Sequence, residues 1–315
     1  MKQRSVGRSG LTVSVLGLGG NNFGGRSDLA ASRAVIHRAL DLGITLFDTA
    51  DVYPMTAPGT SEEILGTTLG DRRKDAILVT KFGHPRQNEP PPRASRRHIM
   101  ASVEASLRRL KTDWIDLYLI HQPDPTTPIE ETLSALDDFV TQGKIRYIGC
   151  SNFPAWQLMD ALWTSKHLGF NPVVACQDEY SLLVRDIERE LIPAIQASGI
   201  GLMPYFPLAS GVLSGKYRRN EPPPKSARLS YTHGLSKRFL TDANLQVVER
   251  LQQFAAARNH TMLELAFSWL LARPGVASVV VGASTPEQVE QNVAATEWVL
   301  TPEDLKEIDR LSAET

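Results

Sequence analysis

Asp48, Tyr53, Lys81 and His121 stand at, or just beyond, the ends of three apolar runs: Leu46-Phe47-Asp48 with Tyr53 soon after, Ile77-Leu78-Val79-Thr80-Lys81, and Ile115-Asp116-Leu117-Tyr118-Leu119-Ile120-His121. A phenol can donate a proton. A neighbouring ammonium favours the phenolate and would bring the phenol pKa down from roughly 10. A carboxylate can hold that ammonium charged and in place, and an imidazole can hydrogen-bond a carbonyl oxygen as negative charge develops on it. As a set they suit reduction of a carbonyl group. Taken singly each has a plainer use. Aspartate at a strand end often caps a helix, tyrosine often packs, and lysine or histidine often opens an exposed loop.

Such residues can meet only if their strands run parallel and end on one face. From Val13 onward, short apolar runs alternate with stretches of helical period, which is the rhythm of repeated βα units. Eight strands are expected, at Val15 to Gly17, Leu46 to Asp48, Ile77 to Thr80, Ile115 to Ile120, Tyr147 to Cys150, Val174 to Gln177, Gly201 to Pro204 and Ser278 to Val281. The helix read at Asp28 to Leu42 carries Ala31, Val35, Ile36, Ala39 and Leu42 on one face and stops at Gly43. Similar stripes run over Ser95 to Leu110, Thr127 to Gln142 and Pro154 to Leu168. The expected fold class is α/β, a (β/α)8 TIM barrel, in which the C-terminal strand ends form the site.

Two additions break the rhythm. Gln3 to Val6 and Leu11 to Val15 flank Gly7-Arg8-Ser9-Gly10 and read as an N-terminal β-hairpin able to close the barrel bottom. Tyr217 to Leu235, with Pro222-Pro223-Pro224, reads as a surface loop between the seventh and eighth strands, where long loops often act as lids. A C-terminal helix is expected near Pro302 to Ser312, and with no linker or shift of composition, residues 1–315 read as a single domain.

The bulk numbers agree with a small-molecule protein. The chain is 42% hydrophobic and 22% charged, with a net charge of -1, so no basic field argues for nucleic acid or an anionic membrane. The N-terminus lacks an apolar leader core and no stretch reaches a spanning length, which reads as cytoplasmic. Cys150 and Cys176 are too few for a disulfide framework and read as buried thiols; no metal-ligand spacing is present, and His233 and His260 are isolated.

Phe47-Asp48-Thr49-Ala50-Asp51-Val52-Tyr53, Val79-Thr80-Lys81-Phe82-Gly83 and Asp116-Leu117-Tyr118-Leu119-Ile120-His121 resemble the tetrad motifs of aldo-keto reductases. So do Gly17-Leu18-Gly19-Gly20, Gly149-Cys150-Ser151-Asn152-Phe153, Met203-Pro204-Tyr205-Phe206-Pro207-Leu208 and Val281-Gly282-Ala283-Ser284-Thr285-Pro286-Glu287-Gln288, spanning nearly the whole chain. The resemblance implies an NADPH-linked reductase of aldehydes or ketones, with Tyr53 as the acid and Asp48, Lys81 and His121 as its partners. It also implies cofactor contacts. Ser151, Asn152 and Gln177 would meet the nicotinamide carboxamide and Tyr205 its ring, with Gly20, Asn21 and Asp48 nearby. Phe206, Pro207, Leu208, Ala209, Ser210 and Lys216 would run along the pyrophosphate.

At the adenosine end the pattern departs from the aldose-reductase branch, which carries a basic residue at the Gly282 position and arginine at the Gln288 position. Gly282, Ser284, Gln288, Gln291 and Asn292 instead look like the branch containing potassium channel beta subunits and their bacterial relatives. Arg228 is the residue expected to supply the missing charge to a 2′-phosphate, so NADP(H) is implied, while the neutral cluster also admits NAD(H). The competing reading is an NADP(H)-binding sensor or regulatory subunit with vestigial turnover. His121 argues against it, because the channel subunits carry asparagine there. A Schiff-base aldolase built on Lys81 would need an unpaired amine. The aromatics Phe23, Phe82, Trp114, Trp156, Trp163 and Tyr231 include candidate pocket walls, an aromatic being more often core, and the substrate is not named by the sequence beyond a small carbonyl or alcohol.

Overall fold

The computed structural model describes residues 1–85, 91–219, 221–224 and 227–313. A hairpin of β1 (Gln3–Ser5) and β2 (Thr12–Ser14) precedes β3 (Leu16–Gly19), β4 (Leu46–Asp48), β5 (Ile77–Phe82), β6 (Ile115–Ile120), β7 (Ile145–Ser151), β8 (Val173–Glu179), β9 (Gly201–Tyr205) and β10 (Val279–Val281). The last eight strands pair in parallel in the order β10-β3-β4-β5-β6-β7-β8-β9. The seam between β9 and β10 is bridged just before β10, where Leu202 N donates to Gly275 O and Ala277 N to Leu202 O, each at 2.8 Å. The result is the expected (β/α)8 barrel, nearly closed, with helices around it and a terminal helix, Pro302–Ala313.

Parallel strands are covered on both faces, which is why β6 reads as an uninterrupted buried run. Successive side chains still alternate. Leu117 and Leu119 join Leu46, Val79, Ala175, Met203 and Val280 inside the barrel, whereas Tyr118 and Ile120 join the outer core beneath the helices. The interior is too narrow for side chains from every strand. Gly149 makes room: a Cβ there would lie 2.3 Å from Leu119 Cδ2 and 2.9 Å from Ala175 O.

The hairpin closes the bottom as expected. Val6, Leu11 and Val13 are buried in the same interior cluster, and the β1–β2 ladder is extended by Val6 N donating to Leu11 O at 2.8 Å. Helix starts follow the capping chemistry of the sequence. Asp28 accepts from Ala31 N at 2.8 Å, and Thr261 with Glu264 forms a capping box.

The segment from Tyr217 to Leu235 differs from the surface loop expected. It holds a short 3-10 turn, Arg228–Ser230, and the start of a helix, His233–Phe239. Tyr217, Ala227 and Leu229 are buried, and Leu229 N donates to Tyr217 Oη at 3.2 Å, so apolar anchors hold the segment to the barrel. Positions 220, 225 and 226 lie outside the described residues. Among the described residues, no helix is long and apolar enough to cross a membrane.

Candidate active site

The inward alternation of the strands places each chemical residue two positions beyond an interior apolar or small residue: Leu46 then Asp48, Val79 then Lys81, Leu119 then His121, Gly149 then Ser151, Ala175 then Gln177, Met203 then Tyr205. Strand register then brings them level. Asp48 pairs with Val79, Lys81 with Leu119, and Ser151 with Gln177. All of these side chains therefore gather at the C-terminal mouth, above the packed layer that fills the barrel.

Lys81 lies beneath the floor. Its ammonium is 2.8 Å from the Asp48 carboxylate and donates to Thr49 O at 2.8 Å. Gln177 Nε2 also donates to Asp48, at 2.8 Å. The same ammonium is 5.1 Å from the centre of the Tyr53 ring, and the His121 ring meets Tyr53 edge-on at 5.7 Å between centroids. The four residues are thus one contact group.

Their electrostatics differ from the expectation in one respect. The Tyr53 phenol is raised, by burial first and by Asp48 next, with Arg228 pulling the other way. The anticipated lowering by Lys81 is not found, because Asp48 neutralises that ammonium at 2.8 Å and burial disfavours a phenolate. Tyr53 therefore holds its proton. Burial lowers the pKa of Lys81 against the opposing pull of Asp48. Burial, followed by the charges of Lys81 and His84, pushes His121 well below the usual imidazole value, so it is a neutral ring with one N–H to give.

Above the floor is a cleft of about 620 Å³. Its lining includes Asn21, Asp48, Tyr53, His121, Ser151, Asn152, Gln177, Tyr205, Phe206, Pro207, Leu208, Ser210, Lys216, Arg228, Gly282, Ser284, Gln288, Gln291 and Asn292, all anticipated from the sequence. Gly20 and Ala209 stand behind the wall. Gly20 N donates to Asp48 O at 2.7 Å and Ala209 is buried.

The wall is already organised by its own hydrogen bonds. Tyr205 Oη donates to Asn152 Oδ1 at 2.8 Å, and Asn152 Nδ2 donates to His121 O at 3.0 Å. Past β9 the chain turns tightly, with Phe206, Ala209 and Ser210 at positive φ of 51, 45 and 58°. Left-handed backbone costs a residue other than glycine about 1–3 kcal/mol, so packing must enforce this turn. Gly211, at φ 98°, lets Lys216 approach; an added Cβ would lie 3.1 Å from Lys216 Nζ. Ser210 Oγ in this turn is buried without a hydrogen-bond partner. At the far end, Thr285 caps the helix Pro286–Ala294 by accepting from Gln288 N, while Gln288 Oε1 accepts from Ser284 N at 2.8 Å. An orphaned hydroxyl, an ammonium and a helix N-terminus along one groove fit a phosphate-bearing ligand such as a dinucleotide.

The sequence reading missed Asn22, Arg26, His84 and Gln122, which also line the cleft. Their signal was position, since each follows a barrel strand at the C-terminal side. The aromatic candidates mostly fail as walls. Tyr231 lines the cleft, but Phe23 and Phe82 are core, and Trp114 lies under Arg73 and Arg146 at the opposite end of β6. Trp156 and Trp163 are 65% and 63% exposed on the helix Ala155–Leu168. Large aromatics carry no mark of the layer they occupy.

The chain is 36% identical over 322 residues to an L-glyceraldehyde 3-phosphate reductase of Escherichia coli O157:H7, covering 98% of this chain and 92% of that protein. It is 35% identical over 317 residues to a probable voltage-gated potassium channel subunit beta of Oryza sativa subsp. japonica, covering 98% and 96%. A counterpart of the same description in Arabidopsis thaliana is 36% identical over 321 residues, covering 99% and 96%. The Aldo/keto reductase family model matches residues 15–313, the stretch that holds every barrel strand and each residue of the cleft, and the chain accordingly belongs to the aldo/keto reductase family of oxidoreductases.

Proposed function

We propose that this protein, acting as a single barrel domain, is an NADPH-dependent reductase of a small, sugar-type aldehyde or ketone, with Tyr53 as the general acid. The observation that carries the reading is the contact group of Asp48, Lys81, Tyr53 and His121 under one cleft. The bound nicotinamide cofactor supplies the hydride. Ser151, Asn152 and Gln177 would hold its carboxamide, Tyr205 its ring, Lys216 and the 206–210 turn its phosphates, and Ser284, Gln288, Gln291 and Asn292 its adenosine end.

The protein's own part is to orient a carbonyl and to deliver a proton. Neutral His121 donates its N–H to the carbonyl oxygen, fixing it near the phenol. Tyr53, protonated because it is buried beside Asp48, gives its proton to the oxygen as negative charge develops. Lys81, held by Asp48 and Thr49, faces the Tyr53 ring and fixes its position through a cation–π contact at 5.1 Å.

The test is NADPH oxidation, and separately NADH oxidation, with a panel of aldehydes, ketones and sugars that includes glyceraldehyde and glyceraldehyde 3-phosphate. Turnover abolished by Tyr53→Phe with cofactor binding retained supports the reading. NADPH binding with no turnover of any carbonyl would favour the second reading, a regulatory subunit, which the names of the rice and Arabidopsis relatives suggest.

A further inference from the structure

Of the four residues in the contact group, Tyr53 is the one that no sheet ladder holds. Asp48 belongs to β4 and Lys81 to β5, and His121 continues the ladder past β6 by donating its backbone N–H to Phe82 O at 2.8 Å. Tyr53 stands beyond the end of β4, in no strand or helix. Its backbone is held by two hydrogen bonds among the described residues: its N–H donates to Ala50 O at 3.1 Å, and its carbonyl accepts from Ser61 N at 3.0 Å.

Ser61 lies in the first turn of the helix Thr60–Leu69, where backbone N–H groups have no acceptor within their own helix. One of those amides is spent on Tyr53. The Ser61 side chain then holds the same region a second time. Its Oγ accepts from Thr49 Oγ1 and donates to Gly20 O, each at 2.8 Å. Thr49 O is in turn an acceptor of Lys81 Nζ, and Gly20 N donates to Asp48 O at 2.7 Å. Ser61 and Thr49 are both 0% exposed, so water does not compete for these bonds. The approach is close: a Cβ added to Gly20 would lie 2.8 Å from Ser61 Oγ.

The next residue of the helix grips the neighbouring strand. Glu62, also fully buried, accepts from Thr80 Oγ1 and from Arg109 Nε, each at 2.6 Å, and Thr80 immediately precedes Lys81 on β5. Its charge favours the charged form of Lys81. A helix that needed only to pack here could present apolar side chains, which avoid the cost of burying polar groups. Hydrogen bonds fix direction as well as distance, and apolar burial does not. The polar turn therefore sets the orientation of what it touches.

We propose that Ser61 is a positioning residue for proton delivery: through the Tyr53 carbonyl and the Thr49 hydroxyl it sets where the Tyr53 phenol lies relative to His121 and Lys81, while Glu62 holds β5 in the same frame. Neither Ser61 nor Thr49 lines the cleft, so each acts through Tyr53 rather than on a bound molecule. The role rests on the reductase reading, and the experiment separates the two.

Ser61→Ala and Thr49→Val each remove the hydroxyl contact, and Thr49→Ser keeps it. In the full-length protein, single-turnover reduction of a small aldehyde with NADPH saturating should slow about 10- to 100-fold in Ser61→Ala and in Thr49→Val, because misplacing a reacting group by about 1 Å can cost on the order of 10²-fold. Thr49→Ser should recover most of the rate, and the double variant Ser61→Ala, Thr49→Val should be no slower than the slower single one. NADPH affinity, measured by fluorescence titration, should stay within about twofold of the parent, since a group that acts only on the chemical step leaves binding alone. A merely structural role predicts a lower melting temperature with the single-turnover rate unchanged. That result, a rate lost together with NADPH affinity, or a loss equal in Thr49→Val and Thr49→Ser overturns the proposal and leaves the reductase reading intact. Should Ser61→Ala fail to fold, the Thr49 variants carry the same comparison. If the unsubstituted protein reduces no carbonyl, the reductase reading fails, and crystal structures of the NADP+-loaded parent and Thr49→Val proteins decide the positioning role. A Tyr53 hydroxyl displaced by about 1 Å or more upholds it, and an unmoved one overturns it.

Discussion

Lys81 Nζ lies 2.8 Å from the Asp48 carboxylate, with the two side chains 0% and 6% exposed. The remaining hydrogen-bonding capacity of the pair goes to Thr49 O and Gln177 Nε2, each at 2.8 Å. A buried pair this well satisfied presents little net charge to its surroundings, which is why Tyr53 feels burial more strongly than it feels the ammonium.

Breaking the pair from one side leaves a buried charge without an answer. Lys81→Met and Asp48→Leu should each destabilise the protein by about 3–5 kcal/mol, and the double variant should cost clearly less than their sum. Denaturant unfolding of the four proteins measures this; simple additivity would contradict it.

Tyr53→Phe keeps the ring that meets His121 and removes only the hydroxyl. The expected loss in kcat for carbonyl reduction is about 10²- to 10⁴-fold, the usual scale of general acid catalysis. Fluorescence titration should find NADPH affinity within about twofold of the parent; a comparable loss of affinity would give Tyr53 a binding role instead.

The pH dependence follows from the directions at Tyr53 and His121. Tyr53 is raised and stays protonated throughout the neutral range, and His121 is lowered and stays neutral down past its usual value of 6.5. Single-turnover reduction should therefore be flat between about pH 7 and 9. On stability the sign is set by the unfolded chain, which takes up the His121 proton below that value while the fold resists it. Stability therefore falls as pH drops through 6.5, and His121→Gln should reduce that slope. An NMR titration showing His121 protonating at or above its ordinary value would refute both statements.

Asp178, on β8 next to Gln177 of the cleft wall, is raised from 3.8 to about 6, chiefly by burial and then by Glu179, against a hydrogen bond from Glu179 N. Here the folded state holds the extra proton. The benefit is complete below pH 3.8 and is lost as pH rises to about 6. Asp178→Asn should therefore stabilise the protein at pH 7, by about 1–2 kcal/mol once partial exposure is allowed for, and flatten the profile between pH 4 and 6. Thermal melts across that range check it.

Leu117 fills the barrel interior from β6, fully buried among residues of neighbouring strands and the hairpin. Leu117→Ala should cost about 2–5 kcal/mol, since a ring of strands cannot collapse to fill the space. A loss below 1 kcal/mol would mean that the layer repacks.

The barrel and the gathering of Asp48, Lys81 and His121 at its floor were legible because they depend on local pattern and strand order. Apolar runs ending in Asp48, Lys81 and His121 recur at the pace of βα units, and a barrel must bring strand ends to one face. That these side chains would meet could therefore be read from the chain itself. Arg26, His84 and the setting of Arg228 were not legible in that way. They sit on loops, where spacing does not specify direction, and their neighbours Tyr231, His121 and Phe206 are remote or unpatterned in the chain. Nor could residue type give the sign of the Tyr53 shift. The sequence supplied a lysine that should lower it, but whether burial or that charge prevails depends on the distance from Lys81 to Asp48, and only the packed barrel sets that distance.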